Sequence, residues 1–169
     1  MSAPVAAVQN MVRQYAGLST PVHVLCLGSL INRAGSFVLV FLTIYVSEQL
    51  ELGITFATQC FGVFGLGSVV AALVGGQLAD RYGRRRIMLI ALFGGAACLV
   101  LLGLARDRVS FLTLVLLLAL TMEMYRPAAS AMIGDLVSAP QRPHAFALMY
   151  IAFNLGFAIA APVGGFLAR

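Results

Sequence analysis

Apolar residues run through this chain in five long stretches, separated by short polar or charged segments. Each stretch is close to the roughly 20 residues that carry a helix across a bilayer. The first predicted helix covers about residues 21–46, with Thr20-Pro21 as its cap and first helical position, where proline's missing N–H has no partner to lose. The others cover about 55–79, 87–105, 109–136 and 144–168. Between them lie a loop with Glu48 and Glu51, a tight basic turn at 80–86, the short turn Arg106-Asp107-Arg108, and Ser138-Ala139-Pro140-Gln141-Arg142-Pro143. Residues 1–19 read as a short amphipathic leader with one charge, Arg13. A cleaved signal peptide with Pro21 to Ile31 as its core is rejected, because Asn32-Arg33 stands where small residues precede cleavage.

Composition makes lipid the solvent. Hydrophobic residues are 61% and charged ones 10% of 169, and the mean hydropathy is +0.97, far from a soluble domain. All 11 basic residues are arginine, so the +5 net charge speaks of membrane orientation and not of nucleic acid. With the amino terminus in the cytoplasm, Arg13, Arg81, Arg84, Arg85, Arg86 and Arg142 fall inside, and Arg106, Arg108 and Arg169 outside. That is the orientation the positive-inside rule selects. Cys26, Cys60 and Cys98 stand singly in apolar runs, as packing residues do.

Charges within the bilayer cost about 2.5–3.5 kcal/mol each on insertion scales, so Arg33, Glu123 and Arg126 are candidates for function. At 1.5 Å per residue, they lie roughly 18, 20 and 15 Å from the cytoplasmic ends of their helices, all near mid-membrane. Glu123 and Arg126 share a helical face and can pair with each other or compete for Arg33. Pro127 leaves the carbonyl of Glu123 without its helical donor. A lining of a solute pathway is expected, with a structural ion cluster as the competing reading. Glu123 is the natural proton carrier. Asn32, Tyr150 and Asn154 are expected to add hydrogen bonds at similar depth, and Met122, Met124 and Met149 to pack.

A shift of 89 residues reveals an internal repeat. Phe64, Leu66, Gly67, Ala71, Ala72, Val74, Gly75, Gly76, Leu78 and Ala79 then face Phe153, Leu155, Gly156, Ala160, Ala161, Val163, Gly164, Gly165, Leu167 and Ala168. The second helix echoes the fifth, which implies a three-helix unit used twice. Within each copy a small residue recurs every fourth position: Gly67, Ala71, Gly75, Ala79, then Gly156, Ala160, Gly164, Ala168. Such rows let helices lie close together in lipid.

Gly76-Gln77-Leu78-Ala79-Asp80-Arg81-Tyr82-Gly83-Arg84-Arg85-Arg86 joins the second and third helices. Gly76 is expected where helices approach closely, and Gly83 where the chain turns sharply. Asp80 can pair with Arg84, Arg85 or Arg86, while the other guanidiniums face phospholipid headgroups. Asp135 is placed to pair with Arg142 or the Arg84–Arg86 group as an inward-side gate. His23 and His144 fall at helix starts, and no phosphate loop, nucleophile triad or metal cluster is visible, so neither an enzyme nor a cofactor is expected.

The pattern formed by Gly76, Asp80, Arg81, Gly83, Arg84 and Arg85 closely resembles the loop signature of the major facilitator superfamily of secondary transporters. The resemblance implies an all-α membrane protein with 3+3 inverted repeats, in which helices one and four line the central pathway. Arg126 matches the recurring basic residue of the fourth helix, although Ala129-Ser130 replaces the usual glutamine-glycine pair. Pro162 and Gly165 partly resemble the fifth-helix motif of the antiporters, with Ala161 where a glycine normally precedes the proline. Members typically carry twelve helices, so the chain reads as five of the six helices of an amino-terminal half. The implied function is alternating-access movement of a small solute, proton-coupled export first, with uptake of a sugar, peptide or organic anion, or a non-transporting membrane subunit, as alternatives. The implied partners are the lipid bilayer of the inner membrane, solute, protons and a carboxy-terminal half.

Overall fold

A computed structural model describes residues 15, 17–36, 41–42, 45–50 and 52–167, without the side chains of 48–49, 161, 163–164 and 166–167. Five α-helices have described bounds: α1 (Thr20–Ala34), α2 (Gly53–Tyr82), α3 (Arg84–Leu104), α4 (Arg108–Leu136) and α5 (Arg142–Leu167); residues 15, 41 and 42 are helical as well. A π turn at Tyr45–Gln49 precedes α2, and a 3₁₀ turn at Ala139–Gln141 precedes α5. There is no strand among the described residues. Helices are what a chain this apolar must form, because in lipid each backbone N–H and C=O needs a partner within its own segment.

Four stretches, Gly53–Tyr82, Arg84–Leu102, Arg108–Leu136 and Ala139–Ala160, are long and apolar enough to cross a membrane. The first predicted helix differs. Instead of running on to 46, α1 closes at Ala34, where the Gly35 N–H donates to Ile31 O at 3.2 Å and the Ser36 hydroxyl donates to Arg33 O at 2.6 Å. A serine that takes a backbone carbonyl in this way competes with continuation of the helix. The 15 residues of α1 span about 22 Å, short of the hydrocarbon core. Residues 37–40 and 43–44, also within that prediction, lie outside the described residues, as do Arg13, Glu51, Ala168 and Arg169.

The basic segment is more helical than expected. Gly83, with φ of +94°, is the single residue between α2 and α3, and Arg84, Arg85 and Arg86 form the first turn of α3 instead of a loop. Only a glycine holds that φ without strain. At the start of α4, the Asp107 carboxylate accepts from the Ser110 N–H at 2.8 Å as an N-cap. The hydrogen bonds from the Ser110 side chain and backbone hold its pKa below the usual carboxylate value.

α4 is the hub. It packs along α2 and α3 and also touches α1, while α1 packs chiefly against α5. Phe56, Cys60 and Phe64 of α2 meet Cys98 and Leu102 of α3 and Phe111, Val115 and Leu118 of α4 in one core. A second core joins Val22, Leu25 and Cys26 of α1, Tyr125, Ala129 and Ile133 of α4, and Ala145 and Met149 of α5. All three cysteines are free and buried. Outward faces carry exposed Val24, Leu66, Phe93, Val100 and Ile151, the surface that lipid covers.

The small-residue row on α2 is turned onto α4. Gly67, Ala71, Gly75 and Ala79 are all buried. A Cβ on Gly67 would stand 2.7 Å from Ala119 Cβ, and one on Gly75 would stand 3.0 Å from Pro127 Cγ. The row on α5 turns onto α1, where a Cβ on Gly156 would stand 2.5 Å from Leu30 O and 3.1 Å from Arg33 Cβ. Ala160 is buried too, Pro162 is exposed, and a Cβ on Gly165 would stand 3.8 Å from Phe41 Cζ. The packing of Gly164 lies outside the described residues. Gly76 corrects an expectation: nothing lies within 4 Å of a Cβ built there, because one residue on a helix rotates the side chain about 100°, off the contact face that Gly75 occupies.

The repeat now has a spatial meaning. The 89-residue offset carries Gly67 onto Gly156 and Leu30 onto Ala119. The contact of Gly67 with Ala119 and that of Gly156 with Leu30 are therefore one contact made twice, with the copies exchanged. The α2–α4 pair and the α5–α1 pair are thus packed through corresponding glycines. The same offset carries Arg33 onto Met122, so Asn32 and Arg33 of α1 meet Met122 and Glu123 at the corresponding level of α4.

Candidate functional site

Between α1 and α4 Arg33 Nη1 lies 3.5 Å from Glu123 Oε1, with both side chains roughly a quarter exposed. That distance is at the outer edge of a hydrogen bond. The pair is long and only part-buried. Beside it Asn32 Nδ2 donates to Met122 O at 3.3 Å, tying α1 to the turn of α4 that Pro127 follows. Pro127, inside α4, has no N–H for the carbonyl of Glu123. Charge and a missing helical donor thus meet in one turn.

α5 closes the other side of the cluster. The Arg33 guanidinium carbon stands 4.3 Å from the Phe153 ring centre and 5.5 Å from that of Phe157. The Arg126 guanidinium carbon stands 5.5 Å from the same Phe153 ring. One ring thus borders two cations, each such contact being worth about 0.5–2 kcal/mol. Arg33 Nε is buried without a hydrogen-bond partner. Arg126 is exposed, and among the described residues no carboxylate lies within 4 Å of it. It stands instead at a cleft between α1, α4 and α5 that Ser29, Tyr125, Ala129, Met149, Tyr150 and Phe153 also line. Ser29 Oγ and Tyr125 Oη both donate to Leu25 O, at 3.0 and 3.2 Å.

The structure therefore brings together Asn32, Arg33, Glu123, Arg126 and, through the cleft, Tyr150. Glu123 pairs with Arg33 and not with Arg126 three residues away. Asn154 is not part of the cluster: its Nδ2 donates to Tyr150 O on its own helix at 2.8 Å, because an amide one turn on reaches the preceding carbonyl more readily than a neighbouring helix. Met122 and Met149 are core residues, 6% and 5% exposed. Phe153 and the close pair Gly28–Tyr125 went unseen in the sequence. A Cβ on Gly28 would collide with the Tyr125 hydroxyl. Depth counting would have flagged Phe153, about 16 Å along α5, but aromatic residues are too common in apolar helices to stand out.

A second cluster lies where α2, α3 and α4 end together. Arg84 donates to Asp135 and to Ala131 O of α4, and its Nη2 lies 3.6 Å from Asp80 Oδ1. One guanidinium thus joins the end of α2, the start of α3 and the end of α4. Arg142 does not pair with Asp135. Its Nη2 donates to Gly134 O at 3.1 Å, where a cation favours the negative end of the helix dipole. Arg81 lies 5.5 Å from the Tyr82 ring, and Arg85 and Arg86 are exposed. His23 Nδ1 lies 3.2 Å from Ser19 O, and His144 meets Tyr15 edge-on. Neither histidine is near the mid-helix cluster.

The family profile of the Major Facilitator Superfamily matches residues 25–169. A "Na(+), Li(+), K(+)/H(+) antiporter" of Planococcus maritimus is 31% identical over 75% of this chain and 31% of its own length. "Multidrug resistance protein MdtG" of Yersinia enterocolitica is 32% identical over 82% of this chain and 34% of its own. The "3-(3-hydroxy-phenyl)propionate transporter" of Escherichia coli is 32% identical over 71% and 28%. The chain spans about a third of the length of these curated relatives.

Proposed function

The chain belongs to the major facilitator superfamily, and from that premise we propose that it is the amino-terminal part of a proton-coupled secondary transporter that exports a small solute from the cell. The observation that carries this reading is the long Arg33–Glu123 pair, 3.5 Å apart and part-exposed, between α1 and α4. Alternating access rocks one half of such a protein against the other. Groups on the helices that line the pathway face the solute from one side of the membrane and then the other, so their surroundings change in that motion. Opening and closing of the Arg33–Glu123 pair is the step to which we couple the proton, with Glu123 as its carrier.

The Arg84 clasp belongs to the same cycle. It ties α2, α3 and α4 at the end read as cytoplasmic, where Arg81, Arg85 and Arg86 meet lipid headgroups. A carboxy-terminal half completes the pathway on the far side of the solute. Export is favoured by the partial antiporter motif at Pro162 and Gly165 and by relatives named for multidrug resistance and for cation/proton antiport.

The test uses cells expressing the whole gene product and loaded with either the cation ethidium or the anion fluorescein. Extrusion of at least one dye, stopped by an uncoupler and reduced about tenfold in Glu123→Gln, is the expected result. Retention of both dyes at the level of cells lacking the protein, or extrusion untouched by the substitution, overturns it.

A further inference from the structure

Arg126 stands well inside α4 with no carboxylate within 4 Å among the described residues, and its guanidinium carbon lies 5.5 Å from the Phe153 ring. A guanidinium carries N–H donors and no acceptor, so it calls for lone pairs that a ring face does not supply. The cleft that Arg126 lines between α1, α4 and α5 has a volume of about 10 Å³. That is the space of one water. A carboxylate group, with three heavy atoms, does not fit it.

The remaining polar groups of the wall decide what the cleft accepts. Ser29 of α1 and Tyr125 of α4 line it, and each hydroxyl donates its proton to Leu25 O, at 3.0 and 3.2 Å. With those protons committed, both hydroxyls offer only oxygen lone pairs. Arg126 offers only N–H. A guest that satisfies all three must give two protons, take one, and be a single heavy atom in size. Ala129, Met149 and Phe153 make the rest of the wall apolar, and Tyr150, its other hydroxyl, is exposed and has solvent available.

We propose that this cleft is the binding site of one ordered water, which donates to Ser29 Oγ and Tyr125 Oη, accepts from Arg126, and so joins α1 to α4 beneath α5. A buried water ordinarily makes about three such bonds, and a water bridge is enthalpically close to a direct hydrogen bond. One molecule accounts for two features: a pair of hydroxyls turned onto a single backbone carbonyl, and a mid-helix arginine held without a partner carboxylate. The water belongs to the folded protein whichever solute, direction or coupling ion the whole chain uses.

X-ray radiolysis of the whole gene product in lipid nanodiscs tests the site, because the pulse turns water into hydroxyl radicals where it stands and a bound water oxidises the side chains beside it. Met149 lines the cleft and is 5% exposed; Met122, 6% exposed, lies outside it and serves as the control. With dimethyl sulfoxide removing radicals from bulk solvent, Met149 is expected to oxidise about fivefold faster than Met122. Ser29→Ala combined with Tyr125→Phe removes both acceptors, and is expected to bring Met149 down to the rate of Met122 while the rate of Met122 holds. Oxidation of Met149 no faster than Met122 in the unsubstituted protein overturns the proposal, as does a Met149 rate that the double variant leaves unchanged. The comparison within the unsubstituted protein needs no variant, so it decides the matter even where faster Met122 oxidation reports that the double variant has failed to fold.

Discussion

Gly156→Ala separates the α1–α5 contact from helix propensity. The added Cβ would stand 2.5 Å from Leu30 O, 3.1 Å from Arg33 Cβ and 3.2 Å from Ala34 N, all parts of α1 near its backbone. Ordinary contact begins at 3.4 Å, so α5 and α1 must part by about 0.9 Å, and overpacking of this kind costs about 1–3 kcal/mol. Alanine also favours the helix over glycine by at most about 1 kcal/mol. Gly76→Ala isolates that second effect, because nothing lies within 4 Å of its Cβ. The difference between the two variants removes propensity and leaves packing, about 1–3 kcal/mol against Gly156→Ala. Sodium dodecyl sulfate titration of each protein in mixed micelles, followed by near-ultraviolet circular dichroism of the tyrosines, measures it. Equal stability of Gly156→Ala and Gly76→Ala within about 0.5 kcal/mol would refute the close approach.

Two further outcomes follow from single contacts. Gly28→Ala forces its Cβ onto the Tyr125 hydroxyl and destabilises by about 1–3 kcal/mol, while Tyr125→Phe alone loses one buried hydrogen bond to Leu25 O, about 1 kcal/mol. The double variant relieves the collision and is expected to be more stable than Gly28→Ala in the same titration. Asp107 has its pKa lowered in the folded state, so its cap contributes stability above its unfolded value near about pH 4. That contribution is lost as pH falls through the lower folded value. Asp107→Ala is therefore expected to unfold before wild type at pH 7 and to match it below the folded pKa. A difference that persists there would mean that the cap does not depend on the carboxylate charge.

Much of the membrane architecture is legible without coordinates, because lipid imposes a simple code. Every apolar run long enough to span must be helical, and the glycine between Tyr82 and Arg84 can only be a turn. The four-residue spacing of Gly67, Ala71, Gly75 and Ala79 places them on one face whatever that face meets. Depth counting alone set Arg33 level with Glu123, and the 3.5 Å pair joins residues 90 apart. The end of α1 was less legible: Gly35 and Ser36 look like ordinary members of an apolar run until Ser36 takes the Arg33 carbonyl.

What the chain determined by itself is thus periodic and local: helical segments, small-residue faces, the depth of charges, the turn at Gly83 and the three-helix repeat. Tertiary structure decided which helix each face meets. It chose Gly75 over Gly76 for contact with α4, Arg33 over Arg126 as the partner of Glu123, Arg84 over Arg142 as the partner of Asp135, and the Asn154 amide for its own helix. It also placed Phe153 against two arginines. The physical reason is rotation: composition and spacing fix a residue's height along a helix, but the azimuth that selects its neighbour is set by packing five helices together, and 100° of turn separates one residue from the next.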